Sequence, residues 1–216
     1  MMNLKNIGIQ MTDKVLLFIN GVPPSNLPET EGYSLIACTD GAFHYLKEKN
    51  FPLDQLDFIS GDFDSHSGQD DSVYEEKFIY TPDQDKTDFQ KALEIIESRG
   101  GKEIEIYGAS GGEMDHFLGN LTVAFQFKEK MDITFYDESS TYFFAKKKAT
   151  LNEVHGKTIS LYPFPAAIAV MTKGLKWPLN QETLDLTKRI GTRNVADSET
   201  VEISYTSGDL IIFVGK

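Results

Sequence analysis

An α/β fold, with an N-terminal doubly wound, mainly parallel sheet domain and a C-terminal antiparallel β-sandwich-like domain, is predicted by three features of this 216-residue chain. Short apolar runs alternate with helix-spaced segments from Lys14 to Asp137, the pattern of buried strands joined by helical crossovers. Successive runs end in acidic or glycine-rich turns. After Thr141, short strand candidates follow one another with no long helix between them. The expected division is residues 1–140 and 141–216.

The elements follow in order. Lys14 to Asn20 reads as a buried strand closed by Gly21 and Pro23-Pro24, and Tyr33 to Cys38 repeats the pattern. Thr39-Asp40-Gly41 then opens a helix on which Ala42, Tyr45 and Leu46 have helical spacing, to about Lys49. Asp57 to Ser60 is a third strand and Lys77 to Tyr80 a fourth, with an acidic amphipathic segment near Asp70 to Glu76 between them. The loop Thr81 to Asp88 leads into a helix with Phe89, Ala92, Leu93 and Ile96 on its apolar face, closed by Gly100-Gly101. Glu103 to Tyr107 is a fifth strand; a helix from Asp115-His116 to about Glu129 and a strand from Asp132 to Asp137 complete the alternation. Beyond it lie strand candidates at Thr141 to Ala145, Lys157 to Tyr162, Ile168 to Thr172, Val201 to Tyr205 and Leu210 to Val214.

Composition bounds the function. With 40% hydrophobic residues, 15 Phe and 9 Tyr, the chain can bury a core. A net charge of -12 argues against binding to nucleic acid or an anionic membrane, and the apolar run Val15 to Ile19 is too short to span a bilayer. No stretch resembles a signal peptide. The one cysteine, Cys38, lies in an apolar run and reads as a core thiol, so a reducing cytoplasm is expected. The charge is uneven: residues 146–216 carry +3 and residues 1–145 carry -15. Between Phe51 and Gln90 stand nine Asp and two Glu against two Lys.

That acidic stretch centres on Gly61-Asp62-Phe63-Asp64-Ser65. Residues two apart on an extended chain point to one side, about 6.5–7 Å apart, so Asp62 and Asp64 can converge on a point. Two converging carboxylates repel unless a cation lies between them, and Mg²⁺ prefers such oxygen ligands together with substrate phosphates. Glycine at 61 is expected to permit a sharp turn. An Asp-rich surface turn is the plain reading of the motif alone. Position argues further, because ligands of doubly wound sheets bind beyond the carboxyl ends of the strands. There the chain supplies Asp40, Asp62 and Asp64, Asp83 to Asp88, and Gly108-Ala109-Ser110-Gly111-Gly112 with Asp115. Helix capping accounts equally for any one of Asp85, Thr87 or Asp88, but not for the whole set. In the C-terminal part the single tryptophan, Trp177, has a face suited to an organic cation, although most tryptophans simply pack. Lys146-Lys147-Lys148 is expected to be a solvated hairpin. The four histidines lack zinc-ligand spacing.

Taken together, Asp40-Gly41-Ala42, GDFDS at 61–65, TPDQDKTD at 81–88, GGEMDH at 111–116, GLKW at 174–177 and TRN at 192–194 resemble the thiamine pyrophosphokinase family across nearly the whole chain. The resemblance implies an α/β catalytic domain, a β domain that helps bind thiamine, and a homodimer with interfacial active sites. It implies conversion of ATP and thiamine to AMP and thiamine diphosphate. By position, Asp40, Asp62, Asp64, Asp88 and Asp115 correspond to the family's magnesium cluster. The catalytic set is then Asp62, Asp64, Asp88 and Asp115; Gln84, Thr87, Ser110 and Gly111 lie near ATP, and Trp177, Thr192 and Asn194 near thiamine.

Two departures stand out. Glu113 occupies the place of a common family Arg, and Arg193 that of a common Ser. Arg193, Lys86 or a partner-subunit cation is expected to supply the missing positive charge. The competing readings are a haloacid-dehalogenase-type phosphatase using Asp62 and Asp64, and a nucleotide- or thiamine-binding domain without turnover.

Overall fold

The computed structural model describes residues 13–63 and 69–216, with the backbone alone over 69–72. Asp64, expected in the acidic motif, lies outside the described residues, as do Ser65 and His66.

Strands β1 (Lys14–Phe18), β2 (Leu35–Thr39), β3 (Phe58–Gly61), β4 (Phe78–Tyr80), β5 (Glu103–Tyr107) and β6 (Asp132–Tyr136) run parallel in the order β4-β3-β2-β1-β5-β6. Helices α1 (Asp40–Glu48), α2 (Asp88–Ser98) and α3 (Met114–Phe127) connect them, and Gln69–Lys77 forms a 3₁₀ segment. The order reverses between β1 and β5, the kind of place where doubly wound sheets hold ligands. The loops leaving these two strands meet backbone to backbone. A Cβ at Gly21 would lie 2.2 Å from the Gly108 carbonyl oxygen, and one at Gly108 2.2 Å from that of Ile19.

Alternation along β1 builds two core layers. Val15 and Leu17 pack with Phe89, Leu93 and Ile96 of α2 and Leu121 and Phe127 of α3. Leu16 and Phe18 face the other way, toward Phe43 and Leu46 of α1. Period two thus places alternate side chains in each layer, which makes the central strands β1 and β2 apolar over most of their length. Cys38 is fully buried in the second layer.

Strand direction changes at a tight turn. After β6, Asp137 accepts hydrogen bonds from the backbone of Ser139 and Ser140, both at 2.7 Å, and the chain returns as β7 (Ser140–Phe144) antiparallel to β6. So short a link can join only antiparallel strands. Across the change, Phe135, Tyr142 and Phe213 stack in succession with centroid distances of 4.8 and 5.0 Å. One sheet therefore runs through both halves of the chain.

The antiparallel half comprises β7, β8 (Lys148–Asn152), β9 (Thr158–Lys173), β10 (Glu182–Asp185), β11 (Gly191–Val195), β12 (Thr200–Ser204) and β13 (Ser207–Gly215). The order β7-β13-β9-β12-β8 is completed by β10 and β11, both of which pair with β9. A separate core lies here, including Ile159, Leu161, Val170, Leu184, Val201 and Ile212. Two expected strands, Lys157 to Tyr162 and Ile168 to Thr172, are one 16-residue strand. Pro163 and Pro165 are carried within β9; its register with β13 shifts between Gly208 and Leu210.

Candidate active site

The carboxyl ends of β2, β3 and β4 bring three of the expected aspartates into one electrostatic group. Asp40 begins α1, where one carboxylate oxygen accepts the Gly41 N–H at 2.7 Å and the other the Phe63 N–H at 3.2 Å. One half-buried side chain thereby fastens the end of β2 to the loop after β3. Burial raises the Asp40 carboxyl above its usual range, and the negative charges of Asp88 and Asp62 push it the same way; the two backbone donors oppose them.

Gly61 has a different role from the expected turn. It ends β3 in extended conformation, and the left-handed residue is Phe63, at φ 57°. What requires glycine is room: a Cβ at position 61 would lie 2.2 Å from the Asp40 carboxyl.

The loop after β4 closes on the same group. Gln84 donates to the Asp62 carboxylate at 3.0 Å. Thr87 caps α2 by accepting the Gln90 N–H at 3.2 Å, so its hydroxyl does the helix-capping work. Asp88, the first residue of α2, pairs with the Lys91 ammonium at 2.7 Å. Lys91 is only 5% exposed and also donates to the Thr81 carbonyl at 2.8 Å. Sequence reading passed over this lysine because it lies among the apolar residues of α2; its i,i+3 spacing from Asp88 was the available signal.

Asp40, Asp62 and Asp88 present oxygen ligands only, and their repulsion is recorded at Asp40. That donor chemistry fits a hard divalent cation such as Mg²⁺. The hydroxyls of Thr39, Ser60 and Thr81, at or just after the ends of the same three strands, are buried and form no hydrogen bond among the described residues.

The loop after β5 also leaves a carboxyl end of the parallel strands, and its Asp115 is not among the charges acting on Asp40. Gly111 and Gly112 take positive φ ahead of α3, and the Ser110 hydroxyl points to Asp137 at 3.4 Å. Asp115 accepts the His116 N–H at 3.0 Å, and its carboxylate clusters with Glu113 and His116 on an exposed surface. The His116 ring lies 3.5 Å from Glu113. Lys86, one of the expected substitutes for the missing cation, is instead held by Glu94 at 2.9 Å and Asp83 at 3.8 Å.

In the antiparallel half, Asn194 on β11 braces Trp177. Its side-chain oxygen accepts the Trp177 backbone N–H at 3.2 Å and its amide nitrogen donates to the Trp177 backbone carbonyl at 2.7 Å. The indole is 55% exposed, with the Lys176 ammonium 5.0 Å from its centre. Asn194, expected near thiamine, here ties its strand to the backbone of Trp177. Thr192 is exposed on the same strand, and the Arg193 N–H donates to Ser160 at 2.9 Å.

An oxygen-rich acidic group at the carboxyl ends of a doubly wound sheet, continued into antiparallel strands that present an exposed indole, defines a protein suited to phosphate chemistry and a cationic organic ligand. Residues 29–135 match the model of the thiamin pyrophosphokinase catalytic domain, and residues 147–210 that of the thiamin pyrophosphokinase vitamin B1 binding domain. The chain belongs to the thiamin pyrophosphokinase family. It is 31% identical over 172 residues to thiamine pyrophosphokinase 1 of Oryza sativa subsp. japonica, covering 72% of this chain and 64% of that one. It is 26% identical over 212 residues to thiamine pyrophosphokinase of Bacillus subtilis, covering 92% and 97%. The crystal structure of a thiamin pyrophosphokinase family protein from Enterococcus faecalis shares the fold, with a TM-score of 0.81 at 24% identity over 94% of this chain and 99% of that one. Nothing in these relationships supports the haloacid-dehalogenase reading.

Proposed function

We propose that the protein transfers the diphosphate group of ATP to the hydroxyl of thiamine, giving thiamine diphosphate and AMP. Family membership supports the reaction, and the observation that carries the site is the convergence of Asp40, Asp62 and Asp88 at one strand edge. Those three, with Asp64 and Asp115, would hold Mg²⁺, which when bound neutralises phosphate charge. The thiamine hydroxyl oxygen forms a bond to the β-phosphorus while the bond from that phosphorus to the α–β bridging oxygen breaks. AMP leaves with the bridging oxygen, and the hydroxyl proton passes to a carboxylate or water. Gln84 orients Asp62, Lys91 orients Asp88, and Ser110 and Gly111 offer donors to the nucleotide's phosphates. The indole of Trp177 accepts the thiazolium cation on its face.

We infer a homodimer, the assembly the family resemblance implies, and strand spacing supports it. Seven strand intervals separate β2, which leads into Asp40, from β11, which carries Asn194. At about 4.8 Å per interval this is roughly 30 Å along the sheet, beyond the reach of one thiamine. The acidic edge of one copy therefore works with the Trp177 region of a second. We assign residues 1–140 to the catalytic part, 141–216 to the thiamine part, and the protein to the cytoplasm.

The test is product identification by phosphorus NMR with purified protein, Mg²⁺, ATP and thiamine. Thiamine diphosphate with equimolar AMP is expected; Asp62→Asn lowers the rate about 100-fold or more, while Trp177→Ala chiefly raises the thiamine KM. ADP and free phosphate without a thiamine product would overturn the assignment.

A further inference from the structure

The lysines at 146–148 do more than form a solvated hairpin, since they border a cavity of about 680 Å³. Six lysines line it: Lys102, Lys128, Lys130, Lys146, Lys147 and Lys148. In a chain of net charge -12 with 21 basic residues, this is a marked concentration of positive charge. It also lies toward the amino ends of the parallel strands, whereas Asp40, Asp62 and Asp88 lie beyond their carboxyl ends. Lys102 precedes β5, Asp132 opens β6, Lys130 follows α3, and Lys146 follows the returning strand β7.

Three carboxylates share the lining and answer only part of the charge. Lys128 is paired with Asp209 at 2.9 Å and Glu129 at 2.6 Å, and Lys146 with Asp132 at 2.7 Å. Lys130 reaches Glu97 at 3.0 Å. Lys147 donates to the Gly208 carbonyl and lies 4.4 Å above the Tyr205 ring, but meets no carboxylate among the described residues. Lys102 and Lys148 likewise form no ion pair among the described residues. Ordinary solvation explains lysines spread over a convex surface, where repulsion keeps them apart. Gathered round a concavity with the apolar side chains of Met131 and Phe143 in its wall, they focus positive potential inward.

We propose that this cavity is a second ligand site, for a phosphate-bearing small molecule whose anionic group is held by Lys102, Lys147 and Lys148 and whose organic body lies toward Met131 and Phe143. The volume suits a ligand of nucleotide size. The site stands apart from the proposed transfer reaction and bridges the two halves of the sheet, being lined by residues of both.

Calorimetric titration with inorganic pyrophosphate in EDTA separates this site from the acidic edge, because carboxylates without a divalent cation repel a polyanion while the lysines attract it. Binding of one pyrophosphate per chain is expected, weakening as NaCl is added. In Lys102→Glu/Lys148→Glu the affinity falls at least tenfold, and in Asp62→Asn it is unchanged. Should the glutamate pair fail to fold by circular dichroism, Lys102→Gln/Lys148→Gln gives the same comparison. No binding to the unaltered protein, binding indifferent to the lysine replacements, or binding lost in Asp62→Asn would each overturn the proposal.

Discussion

The parallel and antiparallel halves of the sheet hold their functional side chains by different means. In the parallel half, strands buried on both faces are scaffolding, and the chemistry sits on the turns that leave them: Asp40 after β2, Asp62 after β3, Asp88 after β4. Ionic and backbone fasteners fix these groups, including Lys91 beneath Asp88 and two N–H donors on Asp40. In the antiparallel half a neutral amide, Asn194, holds the backbone of Trp177, whose indole stays largely exposed. Charged ligands need opposed charges held rigidly apart, whereas a face for an organic cation needs only a ring kept in place.

Tyr142→Ala gives the largest effect on stability. It removes the middle ring of the stack joining the halves, and a loss of about 3–5 kcal/mol in urea unfolding is expected. A single cooperative transition should persist; two separated transitions would show that the halves are independent. Lys91→Met comes next, with a loss of about 2–3 kcal/mol as Asp88 and the Thr81 carbonyl lose their donor. The same change at Lys86, whose pair with Glu94 is screened by solvent, should cost clearly less, so equal losses would contradict a special role for the buried cation.

Glu105→Gln probes the parallel half through pH. Burial pushes the Glu105 carboxyl up, but hydrogen bonds from Lys14, Tyr33 and Tyr136 outweigh it and hold the group below its usual range. A carboxylate depressed in the fold contributes stability above its unfolded pKa and loses it as pH falls through the folded value. The variant should therefore be about 1–2 kcal/mol less stable at pH 7, with the gap closing in acid melts. A gap that widens toward low pH would reverse the assignment. Asn194→Ala gives the smallest stability change, about 1 kcal/mol, and its clearer readout is kinetic. A raised thiamine KM with an unchanged ATP KM is expected; equal changes in both would remove the distinction between the halves.

The same contrast explains what could be read in advance. Strands β1 to β3 were legible because burial on both faces leaves near-continuous apolar runs, β4 to β6 because short apolar or alternating runs stand between polar segments, and Asp40 and Asp62 because they follow such runs, while Asp88 was legible as the start of a helix. Lys91 was not, since a lysine inside an apolar pattern gives no sign that its ammonium turns back to the helix start. Strands β8, β10 and β11 carry many exposed polar residues and resemble loops. The two prolines of β9 concealed a single strand, and the bracing role of Asn194 joins residues 17 apart that no local pattern links.

The turn at Asp137–Ser140 has a practical consequence for anyone dividing the chain. It is where strand direction changes, so it invites a cut, yet β6 and β7 are paired from Thr134–Phe143 to Tyr136–Thr141. A fragment ending there would leave β6 as a bare edge carrying Phe135 and Tyr136, a template for end-to-end growth with other copies. Co-expression of the two pieces, with their edges free to meet, is the safer route to a split protein.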